Sequence, residues 1–139
     1  MVSLPEVVDI AELLAPHPPR TNINLFWVDG EYTFRVATIE DAFPWHYHPE
    51  SDEAWLVLKG RVRFRTELGD VEAKAGQSTI IRSPIRHSPL SLERGTQVLI
   101  VNSRTFTTIY TEDGVSDSTA GYVEVELSPS AHETGQGAQ

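Results

Sequence analysis

The chain has 139 residues and is acidic, with 11 lysines and arginines against 20 aspartates and glutamates and a formal net charge of −9. This charge argues against a nucleic-acid-binding surface, and the length fits one domain that is large enough to bury a core. The chain has no cysteine, which excludes disulfides, thiolate nucleophiles and cysteine-bound zinc. Any metal ion would therefore be held by nitrogen and oxygen atoms.

The start of the chain lacks the basic residues and the long apolar run of a signal peptide. No stretch approaches the roughly 20 apolar residues that a membrane span requires. We therefore expect a soluble cytoplasmic protein without a membrane or nucleic-acid partner.

Residues 1–22 are predicted to form an N-terminal arm that contains one short helical turn. Asp9 and Glu12 have the spacing of a capping box directly before the apolar residues 13–14. The proline-rich segment 16–19 ends this turn, because a residue that precedes proline disfavours helical backbone.

From residue 23 onward, short runs of β-favouring residues alternate with turn signals, such as the hairpin signal Asp29-Gly30. The predicted strands cover residues 23–28, 31–38, 43–48, 53–59, 61–67, 79–82, 97–102, 105–110 and 121–127. This series predicts an all-β sandwich or barrel over residues 23–127. A jelly roll of two sheets is one such fold, and it limits the exposure of unpaired edge strands. The chain shows no internal repeat, which favours a single barrel. Residues 128–139 are small and polar, and we expect a disordered tail.

Alternation along two strands predicts which side chains enter the core. In segment 61–65 three arginines alternate with Val62 and Phe64. The arginines could form an anion-binding row, but the alternation favours arginines that face solvent. Glu53 and Trp55 share one strand face, so a Glu53 that points into the barrel places Trp55 on its wall as a packing residue.

Four residues of metal-ligand type stand out, three of them close together in the sequence and one further along the chain. His46 and His48 are separated by one residue, so they lie on the same face of a strand. Glu53 opens the next predicted strand, and His87 follows a turn signal further along the chain. Three imidazoles and one carboxylate that meet inside a small barrel would form a site for a divalent transition metal ion.

The spacing of these residues is similar to the two signatures of the cupin superfamily. Residues 46–60 read His-x-His, four residues, Glu, six residues, Gly, as in the first signature. Gly76, with ten residues before His87, keeps the spacing of the second. The resemblance extends over roughly residues 30–110. The chain departs from the superfamily's pattern at four positions that are not proposed ligands, namely Glu40, Arg82, Pro84 and Ser91.

This resemblance implies a double-stranded β-helix, or jelly-roll barrel, with a metal ion at His46, His48, Glu53 and His87. It also implies a homodimer. Iron is the first candidate for the ion, and manganese, nickel, copper, cobalt and zinc also suit these ligands.

The favoured function is a metal-dependent enzyme that acts on a small organic substrate, with dioxygenase chemistry first because many cupins with these ligands are dioxygenases. One alternative is a redox-neutral isomerase, cyclase or decarboxylase that uses the metal as a Lewis acid. Another is a non-catalytic cupin that binds or senses a small molecule. No catalytic residue beyond the ligands is identified. Four further residues could supply proton or anion contacts, but the sequence does not place them in the cavity: Tyr32, Arg35, Tyr47 and Arg86.

Overall fold

The computed structural model of the protein describes residues 4–103, 107–111 and 123–127. These residues form eleven strands and one short helix. The elements are α1 (Ile10–Leu14), β1 (Thr21–Val28), β2 (Tyr32–Thr38), β3 (His46–Tyr47), β4 (Glu53–Lys59), β5 (Arg61–Thr66), β6 (Gly69–Lys74), β7 (Ser78–Ile81), β8 (His87–Ser91), β9 (Gln97–Ser103), β10 (Ile109–Tyr110) and β11 (Val123–Glu126). No helix in these ranges is long and apolar enough to cross a membrane.

The strands form two sheets that pack face to face. One sheet has six strands in the order β11-β1-β2-β9-β4-β7, and the other has five in the order β10-β3-β8-β5-β6. Strands that are distant in sequence are neighbours in both sheets, so the chain passes repeatedly from one sheet to the other. This is the predicted all-β jelly roll, with its short helix ahead of the first strand.

Alternate side chains from both sheets fill the space between them and form the main core. Phe64 of β5 is fully buried and meets Trp55 of β4 edge to face, with ring centroids 5.2 Å apart. Such aromatic pairs contribute stabilisation beyond the burial of their area. The other buried members are apolar residues of both sheets and their connections: Ala37, Ile39, Val57, Val62, Ala73, Ile81, Val98 and Ile100.

The alternation predicted for β5 is confirmed. Val62 and Phe64 are buried, while Arg61 and Arg63 lie on the outer face, where both bind the carboxylate of Glu72 at 2.8 Å. Arg65, also on this face, donates to the carbonyl of residue 88. The three arginines therefore form ion pairs and hydrogen bonds on the outer face of the five-stranded sheet.

A second apolar cluster lies on the outer face of the six-stranded sheet, under α1. The Asp9 side chain accepts a hydrogen bond from the Glu12 N–H at 3.0 Å, as the capping-box spacing predicts. This cap starts a helix that places Leu14 against Ile23 and Val36 of the sheet. The arm is thereby attached to the barrel.

Two strands, β6 and β8, were not predicted. In β6 only Ala73 is buried, so this edge strand shows no apolar alternation. In β8 the segment HSPLS includes Pro89, which has no N–H and is usually confined to strand edges. The predicted strands at 105–110 and 121–127 lie partly outside the described residues, and the predicted tail at 128–139 lies entirely outside them.

The interior of the barrel changes from apolar to polar toward one end. On β9 the inward face passes from Ile100 to Asn102, and on β4 it passes from Trp55 to Glu53. Glu53 and Asn102 are direct cross-strand neighbours. All of these residues are almost fully buried, so the polar groups at this end need partners inside the protein.

Candidate metal centre

The structure brings the four predicted ligand residues together at the polar end of the barrel. His46 of β3 lies directly opposite His87 of β8, and His48 follows His46 by two residues. Glu53 is the first residue of β4, in the other sheet. One potential ligand atom from each residue lies within 4.8 Å of those of the other three. Their exposed fractions are only 6% for His46, 4% for His48, 4% for Glu53 and 1% for His87.

Backbone carbonyls fix the orientation of all three imidazole rings. In each ring Nδ1 is within hydrogen-bond distance of a carbonyl oxygen, which accepts only from a protonated nitrogen. The pairs are His46 with Pro44 at 2.5 Å, His48 with Thr107 at 2.8 Å, and His87 with Ile85 at 2.9 Å. A neutral ring held in this way directs the lone pair of Nε2 inward, as in the histidine ligands of metal sites.

The carboxylate of Glu53 lies between these rings. Its Oε1 is 3.2 Å from His87 Nε2, and its Oε2 is 3.2 Å from His48 Nε2. The indole N–H of Trp55 donates to Oε1 at 2.9 Å and fixes the rotation of the carboxylate. Trp55 is therefore both a core residue and a support for the site.

The pKa values of these groups are shifted by burial and by one another. Burial acts to raise the pKa of Glu53, but hydrogen bonds from His48 and His87 outweigh it and hold this pKa well below its ordinary value. Burial, together with the nearby His87, lowers the pKa of His46 to about 4. For His48 burial acts in the same direction, but the hydrogen bond and the charge of Glu53 outweigh it and raise the pKa. Glu53 and His46 are therefore held negative and neutral, as metal ligands are, whereas His48 holds a proton that an ion would displace.

The donor set fits a divalent transition metal ion. With each Nδ1–H bound to a carbonyl, and with the Nε2 protons that join His48 and His87 to Glu53 displaced by an ion, three Nε2 lone pairs and one carboxylate would converge as four acceptors. Buried acceptors that face one another need a cation or additional protons between them. Imidazole nitrogen and carboxylate oxygen are ligands for iron, manganese, cobalt, nickel, copper and zinc, and the donor set does not select one of these metals.

Arg35 of β2 stands next to this cluster. Its side chain is buried, and Nη2 lies 3.9 Å from Glu53 Oε2. Nη2 also donates to the side-chain oxygen of Asn102, and Nη1 is 3.7 Å from Glu124 Oε1 of β11. Arg35 is thus the only one of the four additional candidates that the structure places inside the barrel among the described residues.

The other candidates lie away from the cluster. Tyr32 is 46% exposed, and Arg86 is paired with a surface glutamate, Glu67. Tyr47 points away from the ligands, because it alternates with His46 and His48 along the chain. Of the remaining histidines, His17 follows α1, far along the chain from the ligands, and His132 lies outside the described residues.

The loop after His48 is fastened to the turn that precedes β8. The Ser83 hydroxyl donates to the His48 carbonyl at 2.7 Å, and the Ser83 N–H donates to Asp52 at 2.9 Å. Arg82, one of the departures from the cupin pattern, also binds Asp52, at 3.1 Å. The Ser83–Pro84 peptide is cis. These contacts link the segments that carry the first and last histidine ligands.

Sequence reasoning missed two residues near the cluster, Asn102 and Tyr110. Asn102 is the last of the inward-facing residues of β9, after Val98 and Ile100. An asparagine that continues an apolar alternation could have been recognised in the sequence as a buried polar residue. Tyr110 of β10 is paired with His46 in the sheet, and the two ring centroids are 6.0 Å apart. Burial, and then the charge of Glu124, raise the pKa of the Tyr110 phenol.

Comparison with solved structures shows the same fold in several proteins of low sequence identity. A cupin-2 domain containing protein from Shewanella frigidimarina superposes with a TM-score of 0.65 at 20% identity, over 70% of this chain and 95% of that one. A sugar phosphate isomerase from Silicibacter pomeroyi gives 0.52 at 21% identity, over 59% and 57% of the two chains. The DMSP lyase DddQ from Ruegeria pomeroyi gives 0.52 at 19% identity, over 58% and 43%.

No curated protein sequence matches the chain significantly. Residues 32–102, just over half of the chain, match the Cupin_2 family, described as a cupin domain. Together with the jelly-roll fold and the group of three histidines and one glutamate, this match shows that the chain belongs to the cupin superfamily.

Proposed function

We propose that the protein is an enzyme that acts on a small organic substrate and that binds one divalent transition metal ion through His46, His48, Glu53 and His87. The observation that carries this proposal is the orientation of the three imidazoles. Each ring is held at Nδ1 by a backbone carbonyl, and Nε2 of His48 and of His87 lies 3.2 Å from Glu53, within a cluster that His46 completes. A purely structural histidine cluster would not need three imidazole rings to be oriented toward one buried carboxylate.

The protein residues prepare this site in three ways. Two of the ligands come from adjacent strands in fixed register, so little ordering is needed when an ion binds. Trp55 holds Glu53 in place, and the apolar core below the site excludes water from its inner side. Glu53 supplies the one negative charge of the ligand set, which lowers the positive charge of the occupied centre.

A metal ion held by these four residues would supply either activation of dioxygen and substrate or polarisation of a substrate carbonyl. Oxidation by dioxygen is the reaction class that we place first, because the ligand set suits redox-active iron. A redox-neutral isomerisation, cyclisation or decarboxylation is the second. Arg35 favours this second class, because a fixed positive charge beside Glu53 suits a reaction that develops negative charge on its substrate.

The first experiment is metal analysis of protein that has been purified without chelators and without a nickel column. We expect one transition metal ion per chain, reduced in His46→Ala and absent from the double variant His46→Ala/His48→Ala. His17→Ala is the matched control, because this histidine lies outside the cluster. Stoichiometric metal at the same site in the double variant would refute the ligand assignment.

Oxygen uptake then separates the reaction classes. Redox-active metal together with substrate-dependent oxygen consumption supports the oxidative reaction, whereas turnover without oxygen consumption supports the redox-neutral one. Stoichiometric metal without turnover of any substrate tested would favour the third candidate, a binding or sensing protein. Glu53→Gln is the most informative ligand change, and it should be compared with the unaltered protein at equal metal occupancy.

We also propose that the protein forms a homodimer in the cytoplasm. The outer face of the six-stranded sheet supports an association, because part of it carries exposed apolar side chains beyond the area that α1 covers. Phe26, Tyr32 and Ile80 are 47%, 46% and 44% exposed. Light scattering at micromolar concentration should give twice the mass of the chain, and a monomer mass would refute the dimer.

A further inference from the structure

Arg35 is a buried cation at the polar end of the barrel. Its side chain points into the barrel, because Arg35 and Ala37 lie two residues apart on β2 and share the inward face. Its guanidinium lies between a buried carboxylate, Glu53, and a solvent-exposed one, Glu124, whose side chain is 63% exposed. Arg35 therefore stands between the candidate metal centre and the protein surface.

Asn102 places a second donor at the same point. Its side-chain oxygen accepts a hydrogen bond from Arg35, which fixes the amide so that Nδ2 carries the hydrogens on the other side. Nδ2 is buried and has no hydrogen-bond partner among the described residues. Because Asn102 is the cross-strand neighbour of Glu53, this amide lies beside the cluster. A buried N–H₂ group without a partner is costly, so a ligand that accepts from it is favoured.

The formal charges of the occupied centre also favour an anion. A divalent ion and Arg35 contribute three positive charges, and Glu53 contributes one negative charge. Glu124 offsets the resulting net positive charge only in part, because its carboxylate is largely exposed and is screened by water. Among the residues that the structure describes, the formal charge of the occupied centre is thus positive, which favours a negatively charged ligand group.

We propose that Arg35 and Asn102 form an anion subsite that binds a carboxylate group of the substrate beside the metal ion. This inference rests on the proposed function, since it assigns the substrate class of the same centre. The planar guanidinium, with its N–H donors in a fixed fork, suits a carboxylate, and the amide of Asn102 supplies a further donor. The substrate is accordingly a small organic acid that carries its metal-binding group close to the carboxylate.

A pair of synthetic ligands tests this subsite without knowledge of the substrate. Acetohydroxamate chelates a metal ion and ends in a methyl group, whereas malonic acid monohydroxamate chelates in the same way and carries a carboxylate one carbon further. Both are titrated into cobalt-loaded protein, and binding is followed by the visible absorption of the cobalt ion. In the unaltered protein we expect the carboxylate ligand to bind at least about tenfold more tightly, as for a charge-assisted hydrogen bond.

Arg35→Gln should reduce this preference to near unity while cobalt stoichiometry is retained, and Asn102→Ala should reduce it in part. Arg63→Gln is the matched control, because Arg63 also pairs with a glutamate but lies on the outer face of β5. An equal affinity of the unaltered protein for the two ligands overturns the inference, and so does an unchanged preference in Arg35→Gln. The first of these results needs no variant, so a failure of Arg35→Gln to fold does not prevent the test.

Cobalt stoichiometry is measured before any ligand is added. Unaltered protein that binds no cobalt overturns the proposed function and the anion subsite together. Stoichiometric cobalt without a carboxylate preference overturns the anion subsite alone.

Discussion

Gly60 closes the turn between β4 and β5, and alanine at this position should destabilise the barrel strongly. Its φ of +84° lies in the left-handed region, which disfavours residues with a Cβ. A Cβ at Gly60 would lie 2.2 Å from the Thr96 Oγ1 and 2.9 Å from the Thr96 Cα. The second contact is with backbone, so a rotation of the threonine side chain does not relieve the overlap.

The expected cost has two parts. The left-handed conformation costs about 1–2 kcal/mol for alanine relative to glycine, and overpacking against Thr96 adds about 1–3 kcal/mol. Gly60→Ala should therefore lower the free energy of unfolding by roughly 2–5 kcal/mol. A loss of this size corresponds to a fall in the unfolding temperature on the order of 10 °C for a domain of this length.

Urea unfolding followed by circular dichroism, with metal removed from all samples, measures this cost. Gly76→Ala is the matched control, because Gly76 has a φ of +88° but nothing within 4 Å of the added Cβ. Gly60→Ala should exceed the control by the overpacking part. Equal losses in the two variants would refute the steric reasoning and leave only the backbone conformation as the cause.

Three further predictions concern stability and pH. Phe64→Ala should cost about 3–5 kcal/mol in denaturant unfolding, because Phe64 is fully buried at the centre of the core; a cost below 1 kcal/mol would contradict this packing. The pKa of Glu67 should lie below the ordinary glutamate value in an NMR titration, because the backbone N–H of Arg86 and then its side chain bind the carboxylate. That contribution to stability is present above the ordinary pKa and is lost as the pH falls through the lowered one, so a Glu67 pKa at or above the ordinary value would contradict the contact. Chelation should lower the unfolding temperature and re-addition of metal should restore it, because a ligand that binds only the folded state stabilises it; an unchanged temperature after proven metal removal would count against a metal site in the folded protein.

The parts of the fold that the sequence predicted are those with a strong local signal. The hairpin at Asp29-Gly30 is formed, with φ of +57° and +66° at the two residues. The alternation in β4 and β5 correctly assigned inward and outward faces, since a strand with one buried face repeats every two residues. Strand β8 could not be predicted in this way, because its position between β3 and β5 depends on partners that are distant in the sequence.

The residues of the site also differ in whether the sequence alone could identify them. Strand geometry places His46 and His48 on one face, and the cupin-like spacing added Glu53 and His87, so all four ligand residues could be grouped from the sequence. Arg35 and Asn102 come from β2 and β9, and only the pairing of these strands brings them together. Their contact with each other, and with Glu53, is tertiary information that no local pattern contains.

The four ligand residues come from both layers of the jelly roll, which has a consequence for its local opening. His46 and His87 belong to the five-stranded sheet, and Glu53 belongs to the six-stranded sheet. An ion that binds all of them joins the layers at the end of the barrel where the apolar core gives way to polar groups. Amide hydrogen exchange should therefore slow together in β3, β8 and the start of β4 when metal binds, although these strands are in different sheets. The distant edge strand β6 should exchange at the same rate with and without the ion.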